Sequence, residues 1–260
     1  MFKSSLILVT RNNWDILKSC LKSIYENTVG NYHLYVIDNG SSDDTLGLYG
    51  LNLPNTTIVR NNKNEWWVGG INQGISLSIN TESEYIFFMN DDIEVPKNWL
   101  LHHIEILNMD KVGAVGALNS SKRDWQGYDN VRNRFKDLNL PPLSDIDRND
   151  LEKMNNEIKD IKLKYLEVVG MLAFFLVGFR SSTIKKLGML DDDFTELMCG
   201  DDDDYCRRLA KEKFRLILLL NTYIIHKGGS SIKKLNDFDE RSEKASNLLK
   251  NRYPDYYKPK

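Results

Sequence analysis

The sequence predicts an α/β fold: a mostly parallel, Rossmann-like sheet with helices on both faces and one polar insertion. Three observations carry this. Apolar runs alternate with amphipathic stretches through the first 120 residues, the rhythm of β-α-β units. The first run, Ser5 to Thr10, is continuously apolar, as a strand covered on both faces requires. From Asn119 the composition turns polar and charged, and the rhythm returns only after Glu167.

The elements follow in order. After the opening strand, Trp14, Leu17, Leu21, Ile24 and Tyr25 recur at helical spacing, with Asn12 or Asn13 available as the cap. His33 to Ile37 reads as a second strand and Asp43 to Leu51 as a short helix. Thr56 to Arg60 is a third strand, Ile71 to Ile79 a helix, and Tyr85 to Met89 a fourth strand. Pro96 is suited to start a helix whose Leu100, Ile104 and Leu107 share a face. Lys111 to Leu118 is the fifth strand. In the insertion, Leu151, Met154, Ile158, Ile161 and Tyr165 have helical spacing. Val168 to Phe179 then reads as buried strand. Helices follow near Ser181 to Leu187 and Asp203 to Lys211, and short strands at Phe214 to Leu218 and Thr222 to His226. The expected organisation is an α/β half over 1–118 and an acceptor-side, catalytic part over 119–232. The latter includes the insertion at 119–167, read as an excursion from the main sheet that serves as a lid or acceptor-side element, with a plain surface insertion as the alternative. A tail covers 233–260.

Composition removes several classes. Thirty-five Lys and Arg against 37 Asp and Glu leave a formal charge of −2, which offers no global attraction to nucleic acid or anionic lipid. No apolar stretch reaches the roughly 20 residues of a membrane span, and the N-terminus lacks a signal-peptide pattern. Cys20, Cys199 and Cys206 form no zinc spacing and cannot all pair, which suits a reducing compartment. The expected location is cytoplasmic, with peripheral contact at the inner face of a membrane left open.

In open α/β sheets ligands bind beyond the carboxyl ends of the strands. There the sequence places Thr10-Arg11-Asn12, then Asp38-Asn39-Gly40-Ser41-Ser42-Asp43, then Asn90-Asp91-Asp92. The last run puts hard oxygen ligands at a strand rim, as Mg²⁺ or Mn²⁺ with substrate phosphates requires; a solvated helix cap is the plainer reading. Asp191-Asp192-Asp193 and Asp201-Asp202-Asp203-Asp204 crowd like charges, which raises the pKa of at least one carboxylate unless a cation compensates. A calcium loop fails on spacing, since the sixth position from Asp201 is Cys206 and not glycine. His226 closes a strand ahead of Gly228-Gly229-Ser230-Ser231, a setting for a metal or phosphate contact. No P-loop, G-x-G-x-x-G, G-x-S-x-G or H-E-x-x-H pattern occurs.

Taken in order, these segments resemble the family 2 glycosyltransferases of the GT-A fold. The resemblance rests on Ile7 to Asn12 and on Val36 to Thr45, which is similar to D-N-x-S-x-D-x-T. Asn62 through Gly70, Asn72 and Gly74 resembles N-x-G-x-x-x-G-x-N-x-G, with Glu65-Trp66-Trp67 where Gly-Phe is usual. Asn90-Asp91-Asp92 resembles the DxD region in its N-x-D form. Lys186 to Asp191 with Asp201 to Arg208 resembles G-x-F-D followed by E-D-x-D-x-x-x-R, with Asp201 in place of Glu. His226 with Gly228 and Gly229 resembles the late H-x-G-G-x-S.

The resemblance implies inverting transfer of a sugar from a nucleotide-diphosphate sugar, UDP- or dTDP-linked, to an acceptor hydroxyl on a glycan, lipid-linked or protein acceptor, within bacterial-type glycan or glycoconjugate synthesis. Thr10 and Asp38 would line the nucleotide pocket, Asp38 accepting from the base. Asn12, Asn39, Asn62, Gly70, Asn72 and Asp91 join them as donor-binding candidates. Asp92 would be the main ligand of Mn²⁺ or Mg²⁺, with Asn90 and His226 beside it, and Asp202 the catalytic base, in competition with Asp201 and Asp204. A catalytically silent sugar- or partner-binding module is the alternative class. A sugar-nucleotide pyrophosphorylase fits less well, because the first strand is not followed by a glycine-rich basic loop.

Overall fold

The computed structural model describes residues 3–142, 146–228 and 236–256. Its centre is a nine-stranded sheet with strand order β3-β2-β1-β4-β8-β6-β9-β5, and β7 pairing β9. The first four strands are β1 (Lys3–Thr10), β2 (Asn31–Asp38), β3 (Thr56–Arg60) and β4 (Tyr85–Asn90). They pair in parallel, and the register sets Thr10 opposite Asp38, Asp38 opposite Arg60, and Val9 opposite Asn90. The polar strand ends therefore share one rim. Side chains alternate across the sheet: Leu6 and Leu8 enter one apolar layer, Ile7 and Val9 the other.

Helices cover both layers. On the Leu6 face pack α1 (Trp14–Asn27) and α3 (Trp99–Leu107), through Leu17, Leu21, Ile24, Leu100 and Ile104. On the Ile7 face pack α2 (Trp66–Asn80), α6 (Ser181–Leu187) and α7 (Asp201–Lys211), through Val68, Ile71, Ile75, Ile184 and Leu209. The α2 backbone lies close to β1, since a Cβ on Gly74 would stand 2.2 Å from Ile7 Cγ2.

The second half of the sheet builds the other side of the rim. Between β4 and β6 (Val112–Asn119) runs β8 (Leu176–Arg180), antiparallel to both. The long β9 (Arg215–His226) lies parallel to β6. Its end pairs with the two-residue β5 (Ile93–Glu94), Ile93 opposite His226, which brings His226 beside the turn after β4.

Several boundaries differ from the expectations. Pro96 does not start α3: the chain makes one more turn, with Asn98 left-handed at φ 63°, before helix begins at Trp99. Asn13 precedes α1 but makes no side-chain cap; Asn12 instead accepts from Ser42 N at 2.8 Å, tying the first loop to the second. Val168 to Phe179 is not one strand. It divides into β7 (Tyr165–Val168), an open stretch where Val169 is 99% exposed and Gly170 takes φ +120°, and then β8. The two late strands are one, β9, because the interruption after Leu219 is a register shift against β6 and not a break.

The insertion is not a detached excursion. Its helices α4 (Tyr128–Arg134) and α5 (Leu151–Ile158) place Tyr128, Val131, Met154 and Ile158 in the Ile7-side core. The helix ends at Ile158, so Ile161 and Tyr165 do not extend it. In the tail, α8 (Phe238–Arg252) packs Ala245 and Leu249 inward. No helix among the described residues is long and apolar enough to cross a membrane.

Candidate functional site

A cavity of about 520 Å³ opens at the shared rim. Thr10, Arg11 and Asn12 line it from the end of β1, and Asn39 from the end of β2. Asn90, Asp91 and Asp92 follow β4, and His226 ends β9. Trp66 and Trp67 open α2 on one side, and Asp201 and Asp202 open α7 on the other. Phe174 and Phe175, just before β8, add an apolar wall.

Two neighbouring carboxylates at the strand rim behave oppositely. Asp91 accepts from Thr10 Oγ1 at 2.7 Å. Burial pushes its pKa up to about 7, against the Thr10 hydrogen bond and with the help of the Asp92 charge. Burial also works against the charge on Asp92, but hydrogen bonding and attraction from His226 outweigh it and hold that carboxyl below its ordinary value. The His226 Nε2 to Asp92 Oδ1 distance is 3.3 Å. The imidazole stacks on Phe175 at 4.8 Å between centroids, and its buried Nδ1 has no hydrogen-bond partner among the described residues.

Among the described residues no three His, Cys, Asp or Glu side chains converge as a metal cage. Asp92 and His226 supply one hard oxygen and one imidazole nitrogen, with the Asn90 amide 3.5 Å from the ring. That donor set fits a Mn²⁺- or Mg²⁺-type ion whose remaining positions are filled by phosphate oxygens and water. One carboxylate, one imidazole and one amide make a site that depends on its substrate for the remaining ligands.

The four consecutive aspartates are sorted by the helix they begin. Gly200, left-handed at φ +88°, turns the chain into α7. Asp201 and Asp202 then line the cavity. Asp203 pairs with Arg207 at 3.0 Å. Asp204 is buried and meets Arg208 at 2.9 Å, Arg252 at 3.3 Å and the Tyr253 hydroxyl at 2.8 Å. Burial raises the carboxyl pKa of both Asp201 and Asp202. The Asp201 charge raises Asp202 further, while a hydrogen bond from Trp67 opposes the shift at Asp201.

Of the residues singled out in the sequence, Thr10, Asn12, Asn39, Asn90, Asp91, Asp92, Asp202 and His226 meet on this wall. Four others do not. Asp38 is fully buried, and its carboxylate accepts from Ser41 N at 2.9 Å, Tyr49 at 2.7 Å and Arg60 at 3.0 Å. Asn62 is exposed and lies off the wall. Gly70 serves helix packing, where a Cβ would stand 2.9 Å from Val9. Asn72 brackets Leu190, donating to its carbonyl and accepting from its N–H, each at 3.0 Å. Gly229, Ser230 and Ser231 of the late motif lie outside the described residues, as do 232–235, where the expected boundary between core and tail falls.

Residues given no role in the sequence reading also line the cavity, chiefly Arg11, Asn64, Trp66, Trp67 and Cys199. The available signal was the Trp pair standing where Gly-Phe is usual. Trp66 takes φ +58°, a conformation glycine adopts freely and a bulky residue does not. Asn39 donates to its carbonyl at 2.8 Å, and its N–H donates to Asn64 Oδ1 at 3.0 Å. Strain of this kind, about 1–3 kcal/mol, persists only where surroundings enforce it. The three thiols are free; burial raises the pKa of each, that of Cys199 to about 11.

A mostly parallel sheet whose rim collects acidic, amide and imidazole groups in one cavity defines an α/β protein with a polar site at its strand ends. The chain belongs to glycosyl transferase family 2, whose sequence profile matches residues 5–188. It is similar to PGL/p-HBAD biosynthesis glycosyltransferases of Mycobacterium bovis and Mycobacterium tuberculosis, 30% identical over 91 residues. That match covers 34% of this chain and 34% of each relative, so it spans about a third of their length. Among solved structures, the mannosyltransferase PcManGT from Pyrobaculum calidifontis, in complex with GDP-Man and Mn²⁺, superposes with a TM-score of 0.65 at 17% identity, covering 99% of this chain and 65% of that one. S. aureus TarS 1–349 in complex with UDP-GlcNAc gives 0.61 at 15%, covering 96% and 67%. These likenesses establish the GT-A glycosyltransferase fold.

Proposed function

We propose that the protein is an inverting, metal-assisted glycosyltransferase that moves a sugar from a nucleotide-diphosphate sugar to an acceptor hydroxyl. One observation supports this above the rest. A carboxylate pair with raised pKa, Asp201 and Asp202, faces the same cavity as a carboxylate–imidazole pair, Asp92 and His226.

The two pairs suit the two ends of an in-line displacement. At one end, Asp202 takes the proton of the attacking hydroxyl. A base works best when its pKa approaches the operating pH, and burial beside Asp201 moves Asp202 in that direction. A hydrogen bond from Trp67 opposes the burial-driven rise at Asp201. At the other end, Asp92, His226 and Asn90 would hold the divalent ion. When bound, that ion offsets the charge developing on the leaving diphosphate. Arg11 is a cation on the same wall, placed to contact the donor. Base selection falls to the groups on the wall, Arg11, Asn12, Asn39 and Asn64, because the Asp38 carboxylate is already engaged by three donors. Asp38 thus holds the loop that carries Asn39 and Ser41. The donors seen in the structural neighbours, GDP-Man and UDP-GlcNAc, make both purine and pyrimidine nucleotides worth testing.

The test is a thermal-shift panel of UDP, dTDP, GDP and their sugars with Mn²⁺, followed by nucleoside-diphosphate release from every donor that stabilises the fold. A cognate donor at 100 times its Kd adds about 2.7 kcal/mol to stability, a shift of several degrees. Stabilisation with release supports the enzyme. Stabilisation without release from any donor–acceptor pair supports the silent module, and no stabilisation by any nucleotide overturns the reading.

A further inference from the structure

The family match ends at residue 188, so the acidic start of α7 and the whole of α8 lie beyond it. Yet the end of α8 makes the densest set of charged contacts behind the candidate base. Arg252 bonds Asp191 at 2.9 Å, Asp204 at 3.3 Å and also Asp193, joining the loop before α7 to the helix itself. Its guanidinium lies over the Phe194 ring at 5.1 Å. That ring packs against Gly200, where a Cβ would stand 3.0 Å from it. Gly200 is the left-handed residue that turns the chain into Asp201. Tyr253, next to Arg252, donates its hydroxyl to Asp204 at 2.8 Å.

We propose that Arg252 is a positioning residue: through Asp204 and Phe194 it fixes the first turn of α7 and so aims Asp201 and Asp202 into the cavity. The proposal rests on the glycosyltransferase reading for its effect on turnover, but not for its effect on structure. Charge makes the arrangement necessary. Asp191, Asp193, Asp201, Asp202 and Asp204 crowd one small region, and Arg208 and Arg252 are the cations paired to buried Asp204. Without Arg252, mutual repulsion drives the first turn of α7 away from the loop. Asp204 still keeps Arg208 and Tyr253, so the fold survives the loss. The opposite end of α8 reaches the facing wall, where Arg241 lies over the Trp66 ring at 4.9 Å and donates to Glu196 O. The helix therefore spans both sides of the cavity.

The experiment compares the full chain with Arg252→Met, Arg252→Lys and Tyr253→Phe. Amide hydrogen exchange is followed in the peptide covering 199–206. Nucleoside-diphosphate release is measured with Mn²⁺ from UDP-glucose, UDP-N-acetylglucosamine, dTDP-glucose and GDP-mannose. In Arg252→Met, exchange at Asp204 and Tyr205, the first amides bonded back into the turn, should rise ~10-fold or more, as local opening becomes easier. Its kcat should fall ~10–100-fold with donor KM within about two-fold, the signature of a misplaced group rather than lost donor binding. Arg252→Lys should restore most of both, and Tyr253→Phe should move both in the same direction by less. Unchanged exchange at Asp204 and Tyr205 in Arg252→Met overturns the proposal, as does a loss confined to donor KM. Should Arg252→Met not fold, Tyr253→Phe decides by the same two readouts. If the unaltered protein releases nucleoside diphosphate from none of the donors, the enzymatic reading is what fails, and the exchange measurement still decides the positioning.

Discussion

Four aspartates of identical chemistry stand in a row at the start of α7, and the helix gives them different work. Asp201 and Asp202 face the cavity, while Asp203 and Asp204 meet arginines one turn on, the i,i+4 geometry of a helix. The two kinds separate by experiment. Asp202→Asn should lower kcat by ~10²–10⁴ with donor affinity little changed, because only the proton acceptor is lost. Asp204→Asn should lower stability by about 2–3 kcal/mol, since a buried charged acceptor of two arginines becomes neutral, and its kcat should fall no further than that of Arg252→Met. Steady-state kinetics and urea unfolding of both variants check the pair; near-normal kcat in Asp202→Asn would mean the wrong carboxylate was chosen. At the strand rim, Asp92→Asn should abolish the Mn²⁺-dependent gain in nucleotide affinity measured by titration calorimetry. Unchanged Mn²⁺ dependence would remove Asp92 from the metal site. Motif residues on the cavity wall were legible in the sequence because their chemistry is scarce in a core. Asp38 and Asn72 show the limit: sequence reveals hydrogen-bonding capacity but not the partner, and both spend theirs on the protein's own loops.

At the scale of elements, the apolar stripes announced the helices and the continuous runs announced the strands, while the ends were less legible. Start and stop depend on local backbone turns such as left-handed Asn98, which identity alone does not determine. The stripe of α3 also hides a titratable group. His103 is fully buried between Phe87 and Trp99, bonded through Nδ1 to Trp99 O at 2.7 Å, with Nε2 unpartnered. Burial lowers its pKa to about 4, the Trp99 bond opposing and the His102 charge adding slightly. Between pH 6.5 and about 4 the unfolded chain therefore binds the proton that the folded protein refuses. Stability falls as pH drops through that window, by about 3 kcal/mol from this group. His103→Met should flatten that part of the urea-midpoint profile against pH, and an unchanged slope would rule His103 out as its source. Helix–sheet packing is testable beside it. Gly74→Ala would press its methyl onto Ile7, and we expect a loss of about 1–3 kcal/mol in thermal or urea unfolding.

Across the whole molecule, the segment that composition set apart is tied into the fold by a few buried residues. Polar content suggested a surface excursion, because solvent-facing residues outnumber the few that enter the core. Those few decide its place. Gln126, fully buried, donates to Ala117 O at 3.2 Å and accepts from Ala173 N, linking β6 to the wall that carries Phe174 and Phe175. Nearby Asp124 adds its charge to those raising Asp202. The insertion therefore reaches the site from behind, as a support under the apolar wall, and covers the Ile7-side core as it does so. Gln126→Ala tests this. It removes the acceptor of the half-buried Ala173 N–H and one hydrogen bond to the Ala117 carbonyl, at about 1–3 kcal/mol for a group left unsatisfied. Melting temperature should fall. Freed of its tie, Ala173 can shift the Phe174–Phe175 wall, and Phe175 supports the His226 ring at 4.8 Å. Donor KM should then rise more than kcat falls, the reverse of the pattern expected for Arg252→Met. A surface change in the same segment, Arg134→Gln, should alter neither quantity. If Gln126→Ala melts and binds donor as the unaltered protein does, the segment supports nothing, and its burial reflects packing alone.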